Sequence, residues 1–246
     1  MIDLSALERH ERIALSLSGG KDSLACLYLL RPHLERITVY HLDTGDLLPE
    51  VREIVAEVRG MCPNFVHMQG DVIAWHRAAG MPTDLLPHSA EHLGQMMGEG
   101  MRLVSRYTCC HANLMAPLLE RIKADGNTLM IRGTKRVDMK RLPMASGDVV
   151  DGLELLLPLQ EWSNAEVFEL LRREGAPYCR IYDHVTNAPE CARCPAWWGE
   201  KRAAYLRQYH PALYAGYRAR LLAVWAEIDP ALVNLAAELR EMRDVC

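Results

Sequence analysis

Ile13-Ala14-Leu15-Ser16-Leu17, then Ser18-Gly19-Gly20-Lys21-Asp22-Ser23, then Leu24 to Leu30, is the stretch from which the fold is read. The first part is apolar and of strand length, and the last has helical composition. Between them a glycine turn opens onto a helix start, where the first backbone N–H groups have no partner within the helix. Such a terminus holds anions, phosphate above all. Gly19 and Gly20 permit a sharp turn and a close approach to a ligand that a Cβ would block. Lys21 adds positive charge, and Asp22 and Ser23 are suited to capping the helix or to holding a magnesium ion. The spacing is not that of a Walker A loop. A bare Gly-Gly would be an ordinary connection between strand and helix; the whole six-residue string after a strand favours a phosphate site.

Outward from this motif, the chain alternates strands with helices. Arg12 to Leu17 reads as the first strand and Asp22 to Arg31 as the first helix. Ile37 to Asp43 is a second strand and Asn64 to Gln69 a third. Between these two, Pro49 suits a first helical position, and Val51, Ile54, Val55 and Val58 fall on one helical face. Thr128 to Ile131 and Leu153 to Leu159 read as the fourth and fifth strands, and Ser163 with Glu166 forms a capping box for the helix that follows. The expected architecture is α/β: three α/β/α layers around a mostly parallel five-stranded sheet, plus a C-terminal helical segment. Residues 1–196 would form the nucleotide-site domain with its cysteine loops. Residues 197–246 would form a helical extension of two or three helices, used for packing and oligomer contacts. Asp71 to Arg106 shows little periodicity and reads as a lid or binding loop.

Ligands of such sheets bind beyond the carboxyl ends of the strands. Three segments fall there: Ser18–Ser23, Asp43-Thr44-Gly45-Asp46, and Arg132-Gly133-Thr134-Lys135-Arg136. Arg132, Lys135 and Arg136 are candidates for the anionic end of a substrate, because guanidinium groups fork onto phosphate or sulfate oxygens. Lys140 and Arg141 could instead track a nucleic-acid backbone.

The composition fits a soluble globular protein: 246 residues, 50% hydrophobic and 24% charged, with a formal net charge of −4. That charge gives no basis for wholesale nucleic-acid binding, although it leaves room for a local basic groove. No apolar run is long enough to span a bilayer, and Met1-Ile2-Asp3-Leu4-Ser5 lacks the basic and apolar regions of a signal peptide. The expected compartment is the cytoplasm, with no membrane partner. Eight cysteines there point to metal or thiol chemistry more than to disulfides.

Four of those cysteines are paired: Cys109-Cys110, and far downstream Cys191-Ala192-Arg193-Cys194. A Cys-x-x-Cys alone is ambiguous between zinc, redox and iron–sulfur roles. Pro189-Glu190 before it and Pro195 after it suggest a tight loop instead of a redox helix start. Four thiolates suit tetrahedral zinc or a [4Fe–4S] cluster, and adjacent cysteines are accepted more easily by a cubane with metals at separate corners. The alternative is two unrelated buried cysteine pairs.

Taken together, these strings resemble a known family. Ser18–Ser23 is similar to the pyrophosphate loop of the N-type ATP pyrophosphatases and of their relatives, the phosphoadenosine phosphosulfate (PAPS) reductases. The tandem cysteines followed by Cys-x-x-Cys resemble the [4Fe–4S] signature of the adenosine phosphosulfate (APS) reductases in that family. Leu42-Asp43-Thr44-Gly45 to Pro49-Glu50, Pro158-Leu159-Gln160-Glu161-Trp162-Ser163, and Ala176-Pro177-Tyr178 to Tyr182-Asp183 resemble further family segments in the family's order, over roughly residues 10–200. The resemblance implies a nucleotide site at Ser18, Gly19, Gly20, Lys21, Asp22, Ser23, Asp43, Thr44, Gly45, Arg132, Gly133, Lys135 and Arg136. It also implies a [4Fe–4S] cluster on Cys109, Cys110, Cys191 and Cys194. Two departures stand out. The loop here has the intact pyrophosphatase form, whereas reductases usually carry a degenerate one. The Glu-Cys-Gly string that carries the reductase nucleophile does not occur, which leaves Cys246 as a candidate thiol.

Two enzymatic readings follow. In the first, an iron–sulfur sulfonucleotide reductase binds APS or PAPS, with Lys21 and Asp22 at the reacting end, Cys246 as nucleophile and a thioredoxin-like reductant. In the second, an ATP pyrophosphatase-type sulfurtransferase adenylylates a nucleic-acid base or other acceptor, with Mg2+ screening the pyrophosphate. A homo-oligomer is expected in either case. A non-catalytic nucleotide-binding module with a structural metal is the third possibility.

Overall fold

A computed structural model describes residues 4–83, 96–97, 101–138 and 144–243. Its centre is β1 (Ile13–Ser16), a four-residue strand whose first three residues are buried. Alternate side chains of a strand point to opposite faces, and the packing follows that rule. Ile13 and Leu15 join one core while Ala14 joins the other. Likewise Ile37 and Val39 face the first core and Tyr40 the second, and Leu129 and Ile131 face the first and Met130 the second. A sheet covered on both faces needs near-continuous apolar strands, which is why this run carries so few polar residues.

β2 (Ile37–Asp43) and β3 (Asn64–Gln69) lie on one side of β1; β6 (Leu129–Ile131) and β8 (Leu153–Leu156) lie on the other. All four neighbouring pairings among these five strands are parallel. The main sheet is therefore the mostly parallel one expected, with one addition. β7 (Val149–Val150) pairs antiparallel with β8 and makes a sixth, edge strand. Two residues are too few to leave a periodic signal. A separate two-stranded parallel sheet joins β4 (Met81–Thr83) to β5 (Leu103–Ser105). These strands, and α4 (Val72–Ala79) before them, lie where the sequence suggested an irregular lid. The eight residues of α4 bury Val72 and His76 at i and i+4, a signal too short to read.

The first face is covered by α2 (Lys21–Leu29), α3 (Pro49–Arg59) and α7 (Asn164–Arg173). The second is covered by α6 (Ala116–Ala124), which supplies Leu118, Leu119 and Ile122. α6 continues α5 (Arg106–Cys110) through one π-helical turn, His111–Met115. A short helix α1 (Ala6–Arg9) precedes β1. The Ser163–Glu166 capping box is formed: Ser163 Oγ accepts from the Glu166 backbone N–H, and the Glu166 carboxylate accepts from the Ser163 N–H.

Beyond residue 197 there are two helices, α8 (Arg202–Tyr209) and α9 (Pro211–Arg243). Tyr205, Leu206 and Tyr217 belong to the first core, so the start of this segment packs as part of the main body. Val224 and Ile228 of α9 pack on Leu103 of β5, whereas Leu232, Leu235, Leu239 and Met242 are exposed. Among the described residues, no helix is long and apolar enough to cross a membrane.

Ser163→Ala removes the hydroxyl that accepts from the Glu166 N–H and donates to its carboxylate, leaving the backbone half of the box in place, and should lower stability by about 1 kcal/mol. Urea unfolding would show a lower midpoint with an unchanged slope.

Candidate functional site

The strand order places the site. The chain runs outward from β1 through β2 to β3, then crosses back to β6 on the other side of β1. In doubly wound sheets a crevice opens at the carboxyl ends of the strands where the order reverses. The Ser18–Ser23 loop leaves β1 at that point, and Arg132 to Lys135 leaves β6 beside it.

The two turns are pressed together. A Cβ on Gly133 would stand 2.6 Å from the carbonyl carbon and oxygen of Asp22, so only glycine fits. Gly19 is excluded from carrying a side chain twice over. Its φ is +81°, and a Cβ would meet Val51 Cγ1 at 2.8 Å. Neither Asp22 nor Ser23 caps α2, contrary to expectation; Gly20 is the N-cap and makes no side-chain bond there. Ser23 Oγ instead donates to the Gly20 carbonyl at 3.0 Å and accepts from the Ser18 N–H at 3.2 Å, tying the loop to its own helix.

Asp22 is taken by cations. Lys21 Nζ lies 2.9 Å from Oδ2, and Lys135 Nζ lies 2.5 Å from Oδ1. Both lysines are buried, at 3% and 0% exposure, which a charged ammonium tolerates only when paired. Lys21 also sits 5.3 Å from the ring centre of Tyr182, a cation–π distance. Burial, and then the charge of Asp22, raises the Tyr182 hydroxyl's pKa, which keeps it neutral. Both Asp22 oxygens thus hold ammonium groups.

Two cavities meet at this loop. One, about 250 Å³, is lined by Ser18, Gly20, Lys21, Asp22 and Tyr182 among others. The second, about 210 Å³, lies under β1, β2 and β6 and is mostly apolar, with Tyr40, Leu42, Leu118 and Met130 in its wall. Ser18 and Glu190 line both. Arg132 and Cys110 line the apolar cavity. Burial lowers the Arg132 pKa, and the nearby charge of Glu190 opposes that shift.

Other sequence candidates are turned elsewhere. Asp43 accepts from the Gly45 N–H at 2.7 Å and from Arg52 Nε at 3.1 Å, so it shapes its own turn. Asp43, Thr44 and Gly45 line neither cavity. Arg136 is exposed and forks onto Glu161, with Nε at 3.0 Å and Nη2 at 2.7 Å from Oε1. The structure therefore brings Arg132, Gly133 and Lys135 to the loop but does not bring Arg136. Lys140, Arg141 and Cys246 lie outside the described residues.

The second cysteine pair lies against the turn after β2. Cys191 Sγ contacts Thr44 Oγ1 at 3.6 Å, and the Ala192 N–H donates to the Asp46 carbonyl at 2.7 Å. Cys109, in α5, has His76 Nε2 at 3.4 Å. Burial, then the neighbouring Cys110 and Cys194, pushes the Cys109 thiol up to about 12. Burial also raises Cys191 and Cys194; at Cys194 the Ala196 N–H and the charges of Arg202, Arg106 and Arg220 oppose it. His76 is held neutral, its pKa lowered to about 4 chiefly by burial, and its buried Nδ1 has no hydrogen-bond partner among the described residues. Among the described residues, no three His, Cys, Asp or Glu side chains are grouped as they would be around a metal ion. The fit to a [4Fe–4S] cluster rests on donor chemistry instead: desolvated thiols beside arginines that offset anionic charge.

Sequence reasoning gave no site role to His76, Glu190, Tyr182 or the arginines Arg193 and Arg220. The local signals were that Tyr182 ends a stretch resembling the family and that Glu190 and Arg193 flank or sit within Cys-x-x-Cys.

The model of the phosphoadenosine phosphosulfate reductase domain matches residues 12–196. The chain belongs to this PAPS reductase family. Adenosine 5'-phosphosulfate reductase of Allochromatium vinosum is 23% identical over 190 residues, covering 75% of this chain and 68% of that protein. The chain spans about two thirds of the length of the curated relatives it matches. Two solved structures also align, each at 15% identity. One is the PAPS reductase of Candida auris in a phosphate complex, with a TM-score of 0.49 over 70% of this chain and 77% of that one. The other is the U34-tRNA thiolase NcsA of Methanococcus maripaludis with its [4Fe-4S] cluster, with a TM-score of 0.48 over 85% and 70%.

Gly133→Ala should force the β6 turn away from α2 and weaken nucleotide binding at least tenfold, about 1.4 kcal/mol. Equilibrium dialysis with labelled ATP and APS would measure it, with circular dichroism as the check on folding.

Proposed function

We propose that this chain is a sulfonucleotide reductase-type enzyme of the PAPS reductase family, binding an adenine nucleotide across the two cavities that share Ser18 and Glu190. One observation carries the reading: the cavity at the anion loop and the apolar cavity share Ser18 and Glu190, with Cys110 lining the apolar one and Cys191 following Glu190 in the chain. Adenine would enter the apolar cavity between Tyr40, Leu42 and Met130. The phosphate and sulfate oxygens would meet the N–H groups at the start of α2, Lys21 and Arg132. The family membership and the APS reductase relative support that substrate class.

In the reaction proposed, a thiolate attacks the sulfate sulfur, and the bond from sulfur to the phosphate oxygen breaks. The sulfonyl group becomes S-sulfocysteine and the nucleotide leaves as AMP from APS, or as its 3'-phosphorylated form from PAPS. A dithiol reductant, of thioredoxin type, then reduces the S–S bond. Sulfite is released, the protein thiol is restored and the reductant becomes a disulfide. Cys246 is the thiol we assign to the attack. Lys21 and Lys135 hold Asp22 in place and offset charge on the departing phosphate. Cys109, Cys110, Cys191 and Cys194 would hold the [4Fe–4S] cluster, whose role would be electrostatic, beside the sulfate. The chain's own arginines around Cys194 would offset the cluster's negative charge.

A second reading is favoured by the intact Ser-Gly-Gly-Lys-Asp-Ser loop: ATP cleavage to pyrophosphate, with adenylylation of a nucleic-acid or other acceptor before sulfur insertion, Mg2+ accompanying the ATP. The cytoplasm suits either chemistry.

Anaerobically purified protein should release sulfite and AMP from APS in the presence of a dithiol, and Cys246→Ser should abolish sulfite release. Pyrophosphate from ATP, without sulfite from APS or PAPS, would overturn the reductase reading in favour of the second.

A further inference from the structure

The acidic residue that closes the turn after β2 holds the second cysteine pair. Asp46 is buried, with a side-chain exposure of 1%, and two guanidinium groups reach it. Arg193 Nε, inside Cys191-x-x-Cys194, lies 2.6 Å from Oδ1; Arg220 Nη1, from α9, lies 2.9 Å from Oδ2. The same Arg220 nitrogen donates to the Arg193 carbonyl at 3.0 Å. On either side of Arg193, the Ala192 N–H donates to the Asp46 carbonyl and Arg202 Nη2 donates to the Cys194 carbonyl at 2.8 Å. Three consecutive residues of an otherwise irregular loop are thus pinned, and two of the three pins lead to Asp46. The first cysteine pair is close by: His76, in contact with Cys109, feels the charges of Asp46, Arg193 and Arg220.

We propose that Asp46 is a positioning residue for the thiol site: it sets where Cys191 and Cys194 stand relative to Cys109 and Cys110. The inference rests on the reading of these four cysteines as one ligand set. The physical argument is that a charge pair removed from water holds its geometry tightly, because any displacement leaves a buried charge uncompensated. The loop has no helix or strand of its own to set its position, so this ion pair substitutes for secondary structure. It also joins the thiols to the Asp43–Asp46 turn, which leads into Leu47 and the wall of the apolar cavity.

The test uses Asp46→Asn in the full chain. Iron and acid-labile sulfide after anaerobic reconstitution should fall at least fivefold against the unaltered protein. In metal-free protein, iodoacetamide labelling followed by mass spectrometry should show Cys191 and Cys194 reacting at least fivefold faster. Cys26, Cys62 and Cys179, buried elsewhere, should keep their rates. Uniform acceleration of all cysteines would mean general destabilisation and would overturn the proposal, as would unchanged rates at Cys191 and Cys194. Should Asp46→Asn fail to fold, Arg193→Met breaks the same contact from a side chain that is 29% exposed, and the same pattern of rates decides. Protein that takes up no cluster even when unaltered would sink the cluster reading, whereas the labelling pattern would still settle the role of Asp46.

Discussion

The contact between Gly133 and the backbone of Asp22 is the constraint on which the site depends. Two connections leaving neighbouring parallel strands are brought to van der Waals contact, with no room for a methyl group. From that contact Lys135 reaches Asp22 from one side while Lys21 reaches it from its own helix. The Ser18–Ser23 loop is therefore held by two strands. Without the second strand, the lysines and the N–H groups at the start of α2 would have no fixed relation to Arg132 or to the apolar cavity. Burying two ammonium groups on one carboxylate is tolerable only because the geometry is set beforehand by backbone packing.

A second constraint works at the cysteine side. The thiols sit on an irregular loop and at the end of a five-residue helix, neither of which is stiff by itself. Position is supplied by buried charge, through Asp46 with Arg193 and Arg220, and by the hydrogen bonds to the carbonyls around them. The apolar cavity, lined by Leu42 and Leu47, and the cysteine loop, held at Thr44 and Asp46, meet the same short segment at the end of β2.

Much of this was legible in the sequence. Strand length, the glycine turn and the capping box are local signals, and each lies within a few residues of its cause. The strands at Ile37, Asn64 and Leu129 and the helix at Pro49 declared themselves in this way. What escaped has partners far along the chain. Asp46 meets Arg193 and Arg220, and His76 meets Cys109, none of which is a sequence neighbour. The basic cluster after the fourth strand shows the opposite failure. Lys135 and Arg136 are adjacent, yet one turns inward to Asp22 and the other outward to Glu161, where the chain enters a 3-10 turn at Arg136. A run of positive charge in sequence is thus not a positive patch in space. The edge strand β7 was missed for a simpler reason, being only two residues long.

The long final helix has two unequal halves. Through Val224 and Ile228 it is bolted to β5, while beyond Pro230 it carries Leu232, Leu235, Leu239 and Met242 in the open. Proline donates no N–H, so the ladder loses a rung at the point where tertiary support ends. A free-standing helix of fewer than about 12–15 residues is marginal in water. Amide exchange should therefore rise along this one element from core-like protection to near-solvent rates, and the outer turns should unwind and re-form without disturbing either cavity.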